Sequence, residues 1–434
     1  MTLAYGRLKD DGYLLSKERS GFFVNPDATG QIVDAPASEG TNEAVDMAHW
    51  ERRLKSHPSS QKNIEKPSDW QRYPYPFIYG QLDFDLFPTN HWRECNRDAM
   101  SVGAIRSWAN DHFDNDDPLL IEQIHQHLLP RRGVWADADQ ILITVGAQQA
   151  LYMIVKLLMG PDDVLGLEDP GYVDIRNIAT LNPTRTAALP VDERGLVISE
   201  QLDKCSCVYV TPSHQSPTTV TMPLERRHEL LARARSSGFV IIEDDYESEI
   251  AFSNKPTPAL KSLDKNERVL YVGSLSKTLS PGLRLGYVVG PSSVIKELRA
   301  LRRLMLRHPP ANNQRSVALF LARGYHDSLT RSLISTYKER CEIMKKALDR
   351  YLPSSTQTPV FGGSSFWVKG QKELDARELQ KRAAKEGILI EPGDIHFLSD
   401  KPPTNCFRLG YASIQTDRIE PGIERLAAII RDLV

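Results

Sequence analysis

Between residues 141 and 289 short apolar runs alternate with helical patterns, and this alternation restricts the chain to few architectures. The run 141–145 precedes a helix beginning near Ala147, and 164–167 precedes one beginning near Gly171. The run 208–211 leads toward a helix after Pro223, 239–243 ends in an acidic cluster, and 269–273 and 285–289 complete the series. Strands separated by helices of this length predict an α/β fold whose mostly parallel sheet, of seven strands, is covered on both faces. Ligands of such sheets bind beyond the carboxyl ends of the strands. Gly146, Thr211, Asp244 and Ser274 all fall there, so topology alone points to one site.

The flanks differ in texture. Residues 1–24 read as a short helix from Thr2 to Asp11 and a two-stranded wing ending at Phe23 and Val24. Residues 25–72 are polar, with Pro26, Pro36, Pro58 and Pro67, and read as a linker. A segment over 73–115 is expected to associate with a smaller domain, the large domain to span 116–308, and a helical connection with a C-terminal α+β domain to fill 309–434. With 434 residues, 41% of them apolar, the chain has material for more than one domain. A formal net charge of −2 is not the footprint of a surface committed to nucleic acid. Five scattered cysteines read as reduced, buried thiols of a cytoplasmic protein, with Cys205 and Cys207 on one strand face. Neither a secretory leader nor a membrane-spanning run is visible.

The segment from Gly273 to Tyr287 carries the strongest chemical signal. Lys277 leaves a strand between hydroxyl residues, and Arg284 follows seven positions later behind a Pro281-Gly282 turn. A lysine in such a place is suited to form a Schiff base with a carbonyl. Ser274, Ser276 and Arg284 would donate to a phosphate beside it. An isolated Ser-x-Ser-Lys would read as a polar surface loop; the flanking strand, the turn and Arg284 favour pyridoxal 5′-phosphate (PLP). At Glu243-Asp244-Asp245-Tyr246 a strand runs into carboxylates. Asp244 would keep a pyridine nitrogen protonated and Tyr246 would donate to the ring oxygen, against a helix N-cap or a metal cluster as the plainer readings. Gly146, Ala147 and Gln148 open a helix whose amides would receive the phosphate. Tyr172 offers a flat face, and His214 and Gln215 stand beyond another strand, within reach of the ring oxygen. Arg408 lies inside an apolar strand and needs a carboxylate partner, either a substrate's or a structural one.

These stretches resemble a known family. From about Tyr79 onward, residues 168–172, 211–217, 243–249, 274–287 and 407–412 are similar to the aminotransferase-like half of the MocR group of GntR regulators. More broadly they are similar to fold-type-I PLP enzymes of the aspartate aminotransferase superfamily. The resemblance implies that Lys277 is the Schiff-base lysine, that Asp244 pairs with the pyridinium nitrogen and that Tyr246 binds the ring hydroxyl. It places Tyr172 on the ring and the substrate's α-carboxylate on Arg408, and it implies a homodimer. Residues 2–14 resemble the end of a GntR recognition helix and 16–24 its wing, without the preceding helices that would hold it in a groove.

Some positions depart from the family. Asp174 stands where the family's GABA-responsive member has an arginine, which suits an amine or hydroxyl of the substrate better than a second carboxylate. Thr219 replaces a usual glycine, Ser364-Ser365-Phe366 replaces Gly-Leu-His, and 116–123 lacks the usual glycine and Leu-Arg. Two functions follow from the sequence. The first is a freestanding PLP-dependent enzyme acting on an amino acid, an aminotransferase or a related PLP enzyme such as a cyclase, eliminase or decarboxylase, with a 2-oxo acid as co-substrate. The second is a MocR-type regulator sensing PLP and an amino compound. Specific DNA binding is not expected of the chain as given.

Overall fold

The structure, a computed structural model, describes residues 2–17, 20–28, 48–252, 257–353, 355–357 and 362–434. Residues 29–47 of the expected linker lie outside the described residues. The chain divides into two compact units, Met1–His57 and Pro58–Val434. In the first, the helix Thr2–Asp10 is followed by an antiparallel hairpin of Leu14–Lys17 and Gly21–Val24, as the sequence predicts.

The second unit is built on an eight-stranded sheet. In spatial order its strands are Ile141–Thr144, Gly286–Val289, Val269–Ser274, Val240–Asp244, Cys207–Val210, Val164–Asp169, Arg185–Asp192 and Gly195–Leu196. The five strands from Val269–Ser274 to Arg185–Asp192 pair in parallel. Gly286–Val289 runs antiparallel to both its neighbours. The expected seven strands are thus present, extended by the two-residue Gly195–Leu196. Arg185–Asp192 has no apolar run because it lies near the sheet's edge and exposes alternate side chains.

Side-chain alternation divides the core. Cys207 and Tyr209 pack on one face with Leu142, Ala150 and Ile154, while Val208 and Val210 pack on the other with Leu230 and Phe239. All five cysteines are buried free thiols. Cys205 and Cys207 do not share a face: Cys205 precedes the strand, where period-two alternation does not yet apply, and it joins the opposite cluster.

Beyond the sheet the chain is helical over Ser292–Leu306, Ala311–Ala322 and Tyr325–Tyr351. A smaller antiparallel sheet follows, in the order Thr356–Gln357, Ser365–Lys369, Cys406–Gly410, Glu391–Pro392. Its register sets Glu391 opposite Arg408. Among the described residues no helix is long and apolar enough to cross a membrane.

Candidate active site

A cavity of about 440 Å³ opens at the carboxyl ends of the parallel strands. Its wall includes Ala147, Gln148, Tyr172, Asp174, Asp244, Tyr246, Ser274, Ser276, Lys277, Arg284 and Arg408, brought together from five separate stretches of chain.

One end is lined with donors. The helix Gly146–Leu158 begins directly at the end of a strand, and no side chain caps its first turn. Its leading amides, those of Ala147 and Gln148 among them, are therefore available to an anion. Gly146 has φ +72°, and a methyl group there would stand 2.9 Å from Arg284 Nη2. Only glycine lets that guanidinium lie against the helix start. Arg284 itself is left-handed, with φ 51°, a strained conformation for a residue with a Cβ. Its side chain has no hydrogen-bond or ion-pair partner among the described residues.

In the middle of the cavity the acidic cluster divides into three roles. Glu243 accepts from the backbone amides of Leu260 (2.7 Å) and Lys261 (2.8 Å) at the start of a short helix. Asp245 accepts from Arg132 Nε (2.7 Å) and from the Tyr271 hydroxyl (2.8 Å) beneath the sheet. Asp244 alone faces the cavity. Its Oδ2 accepts from the Tyr209 hydroxyl at 2.8 Å, while Oδ1 is buried without a partner. A buried acceptor without a donor is costly, and the pyridinium N–H of PLP is a donor of the right kind. Burial raises the Asp244 carboxyl to about 7. Burial in turn lowers the Lys277 ammonium to about 8; Glu247 opposes this shift, and Lys66 and Arg408 add to it. Tyr172 donates from its hydroxyl to Asp174 Oδ2 at 2.9 Å and lies 3.0 Å from Gln148 Oε1, which fixes the ring at the cavity wall.

The other end is a charge cluster. Arg408 donates from Nε to Glu391 Oε2 at 2.8 Å, and its Nη2 lies 2.7 Å from the same oxygen. Glu391 Oε1 accepts from the Tyr79 amide (3.1 Å) and pairs with Lys66 Nζ (3.1 Å). Burial alone would raise the Glu391 carboxyl, but the two cations hold it down at about 2. Arg408 thus has the structural partner that its sequence context left open, and it still lines the cavity. The centre of the Tyr79 ring lies 4.4 Å from Lys277 Nζ and 4.1 Å from the Arg408 guanidinium carbon.

His214 and Gln215, two of the expected cofactor contacts, are not at the cavity wall. Gln215 Nε2 donates to Pro170 O (2.8 Å), Ser216 O (2.9 Å) and Glu168 Oε2 (3.2 Å). Its Oε1 accepts from Thr218, so the whole amide is used in shaping the floor. His214 turns toward Gly362, where an added methyl would stand 2.5 Å from its Nε2. Ser216 reaches the cavity from this loop instead. Ile64, Lys66 and Tyr79 also form part of the wall, with Glu391 behind it, and no motif in the sequence marks them.

The chain is similar to known proteins over most of its length. Residues 79–426 match the family described as aminotransferase class I and II. The chain is 41% identical over 433 residues to the HTH-type transcriptional regulator TauR of Rhodobacter capsulatus, an alignment covering 99% of this chain and 88% of that one. It is 29% identical to the aromatic-amino-acid aminotransferase 1 of Thermococcus litoralis, covering 80% of this chain and 86% of that one. Among solved structures it is similar to LysN, an alpha-aminoadipate aminotransferase of Thermus thermophilus, crystallised with N-(5′-phosphopyridoxyl)-L-leucine. The TM-score is 0.80 and the identity 27%, over 88% of this chain and 98% of LysN.

Proposed function

We propose, for a chain that belongs to the class I and II aminotransferase family and within it to the MocR-type group, that it uses PLP to process an amino compound by amino-group transfer. The observation that carries this reading is the convergence of Lys277, the unpartnered Asp244 Oδ1 and Arg408 on one cavity. When bound, PLP supplies an electron-poor ring that accepts the electron pair released from a substrate's Cα–H bond.

The residues divide that work. Arg284, Ser274, Ser276 and the amides of Ala147 and Gln148 hold the phosphate. Asp244 keeps the ring nitrogen protonated, Tyr246 donates to the ring oxygen, and Tyr172 covers one face. Lys277 Nζ would bond the aldehyde. As a free amine, whose ammonium form burial disfavours, it would be able to take up a proton and return it. Arg408 orients the substrate's acidic end and Asp174 faces a polar group elsewhere on it. A homodimer in the cytoplasm is the expected setting, in keeping with five buried reduced thiols.

Amino-group transfer is tested with PLP-loaded protein incubated with a panel of amino acids, without and then with a 2-oxo acid. Mass spectrometry should find a stoichiometric amount of keto acid in the first case and continuing turnover in the second. Release of carbon dioxide, ammonia or a cyclised product in place of the keto acid would reassign the reaction.

A second reading is favoured by the 41% identity to TauR across 99% of the chain and by the helix and hairpin of residues 2–24. In it the same cavity takes up the amino compound as a signal. It predicts one spectral change per ligand bound, no turnover, and ligand-dependent binding of duplex DNA.

A further inference from the structure

We propose that Lys66 determines specificity: with Arg408 it forms a two-cation anchor, half neutralised by Glu391, that selects an amino compound bearing one anionic group. This deepens the PLP reading above and rests on it.

Arg408 and Glu391 face each other across an antiparallel ladder and share two contacts at one carboxylate oxygen. Taken together this pair is neutral, and an approaching anion meets attraction from one partner and repulsion from the other. Lys66 supplies the missing charge. Its Nζ lies 3.1 Å from Glu391 Oε1 and its side chain lines the cavity. The cluster therefore carries one net positive charge in a largely desolvated place, where a single charge counts for more than in water.

Placement then limits the ligand. A methyl on Gly80 would stand 3.0 Å from Lys277 Nζ and 3.9 Å from Lys66 Nζ, so the bond-forming amine and the anchor converge on one backbone position. Lys277 and Arg408 both approach the ring of Tyr79. An amino group at Lys277 and an anion at the anchor are thus only a few bonds apart. Among the described residues of the wall, the cations besides Lys66 and Arg408 are Lys277, which is committed to the amino group, and Arg284. Arg284 stands against Gly146 at the phosphate end, and Asp174 and Asp244 add negative charge to the wall.

The test uses PLP-loaded protein and four probes: L-alanine and β-alanine with one carboxylate, L-aspartate with two, and ethylamine with none. Apparent Kd is read from the change in the visible spectrum. The better monocarboxylate should bind more tightly than aspartate and ethylamine. Lys66→Met should weaken it at least about tenfold, as expected for a lost charge-assisted contact, and leave ethylamine unchanged. Lys66→Arg should stay near wild type. Adding Glu391→Gln to Lys66→Met should restore most of the affinity, because the net charge returns to one. Wild type that prefers ethylamine or aspartate, an unchanged ratio in Lys66→Met, or no recovery in the double variant would overturn the proposal. A wild type without any visible band would instead overturn the PLP reading beneath it.

Discussion

Arg284 and Arg408 close opposite ends of one cavity, and the protein holds them in opposite ways. Arg284 is exposed, sits in a left-handed backbone conformation against a glycine, and has no protein carboxylate beside it among the described residues. Arg408 is buried, lies in the middle of a strand, and is bonded across the sheet to Glu391. The first arrangement suits a permanently bound dianion, whose charge replaces the missing partner. The second suits a ligand that comes and goes, because a buried guanidinium left bare between ligands would bear a large desolvation penalty. In the proposed reading, charge compensation supplied by the ligand would mark the cofactor end, and compensation built into the protein would mark the substrate end.

The largest effect should come from removing the built-in pair. Arg408→Ala leaves Glu391 buried with Lys66 as its remaining cation, and should lower stability by about 3 kcal/mol in chemical denaturation. A variant as stable as wild type would break the contrast. Arg284→Ala removes no protein partner and should leave stability nearly unchanged. Its PLP affinity, measured by equilibrium dialysis, should fall by about 10- to 100-fold, the effect of charge-assisted contacts to phosphate.

A smaller effect separates the two ends through Lys277. A lysine held below its ordinary value becomes neutral at lower pH, and only the neutral amine attacks an aldehyde. The rate of colour development after adding PLP should therefore climb as pH rises through about 8 and then level off. The cations acting on Lys277 are Lys66 and Arg408. The midpoint should move upward in Arg408→Ala and stay in place in Arg284→Ala. Equal shifts in both variants would show that the two ends are not electrostatically distinct.

The smallest effect lies in the floor loop between the two ends. Thr219 occupies φ 66° and its buried hydroxyl has no partner. Thr219→Gly should stabilise the protein by about 1 kcal/mol, seen as a small rise in Tm. A fall would mean that side-chain packing there outweighs the backbone strain.

What could be read in the sequence follows the same division. The phosphate end and the lysine come from short contiguous motifs at strand ends, where backbone geometry fixes the direction of each side chain. Gly146, Asp244, Ser276, Lys277 and Arg284 could therefore be placed one by one. The floor loop has no such period, so neighbours as close as Gln215 and Ser216 turn to different sides, and His214 and Gln215 were expected where Ser216 stands. The acid end is assembled from distant stretches. Lys66 lies in a polar segment with the composition of a linker, although Gln61 and Asn63 tie that segment to Asn177 on a helix of the large sheet. Glu391 did leave a signal. It closes the apolar run Ile388-Leu389-Ile390 just as Arg408 interrupts its own, and two buried charges of opposite sign call for each other. Pairing them required knowing that their strands are neighbours, which composition does not reveal.

The account stands on Lys277 as the residue that bonds the aldehyde of PLP, and one measurement tests this most directly. Purified protein should be incubated with PLP, freed of excess cofactor, and its visible spectrum recorded beside that of Lys277→Ala. The account predicts a yellow wild type whose absorption band survives gel filtration, and a variant without that band. A colourless wild type, or the same band in Lys277→Ala, would contradict it.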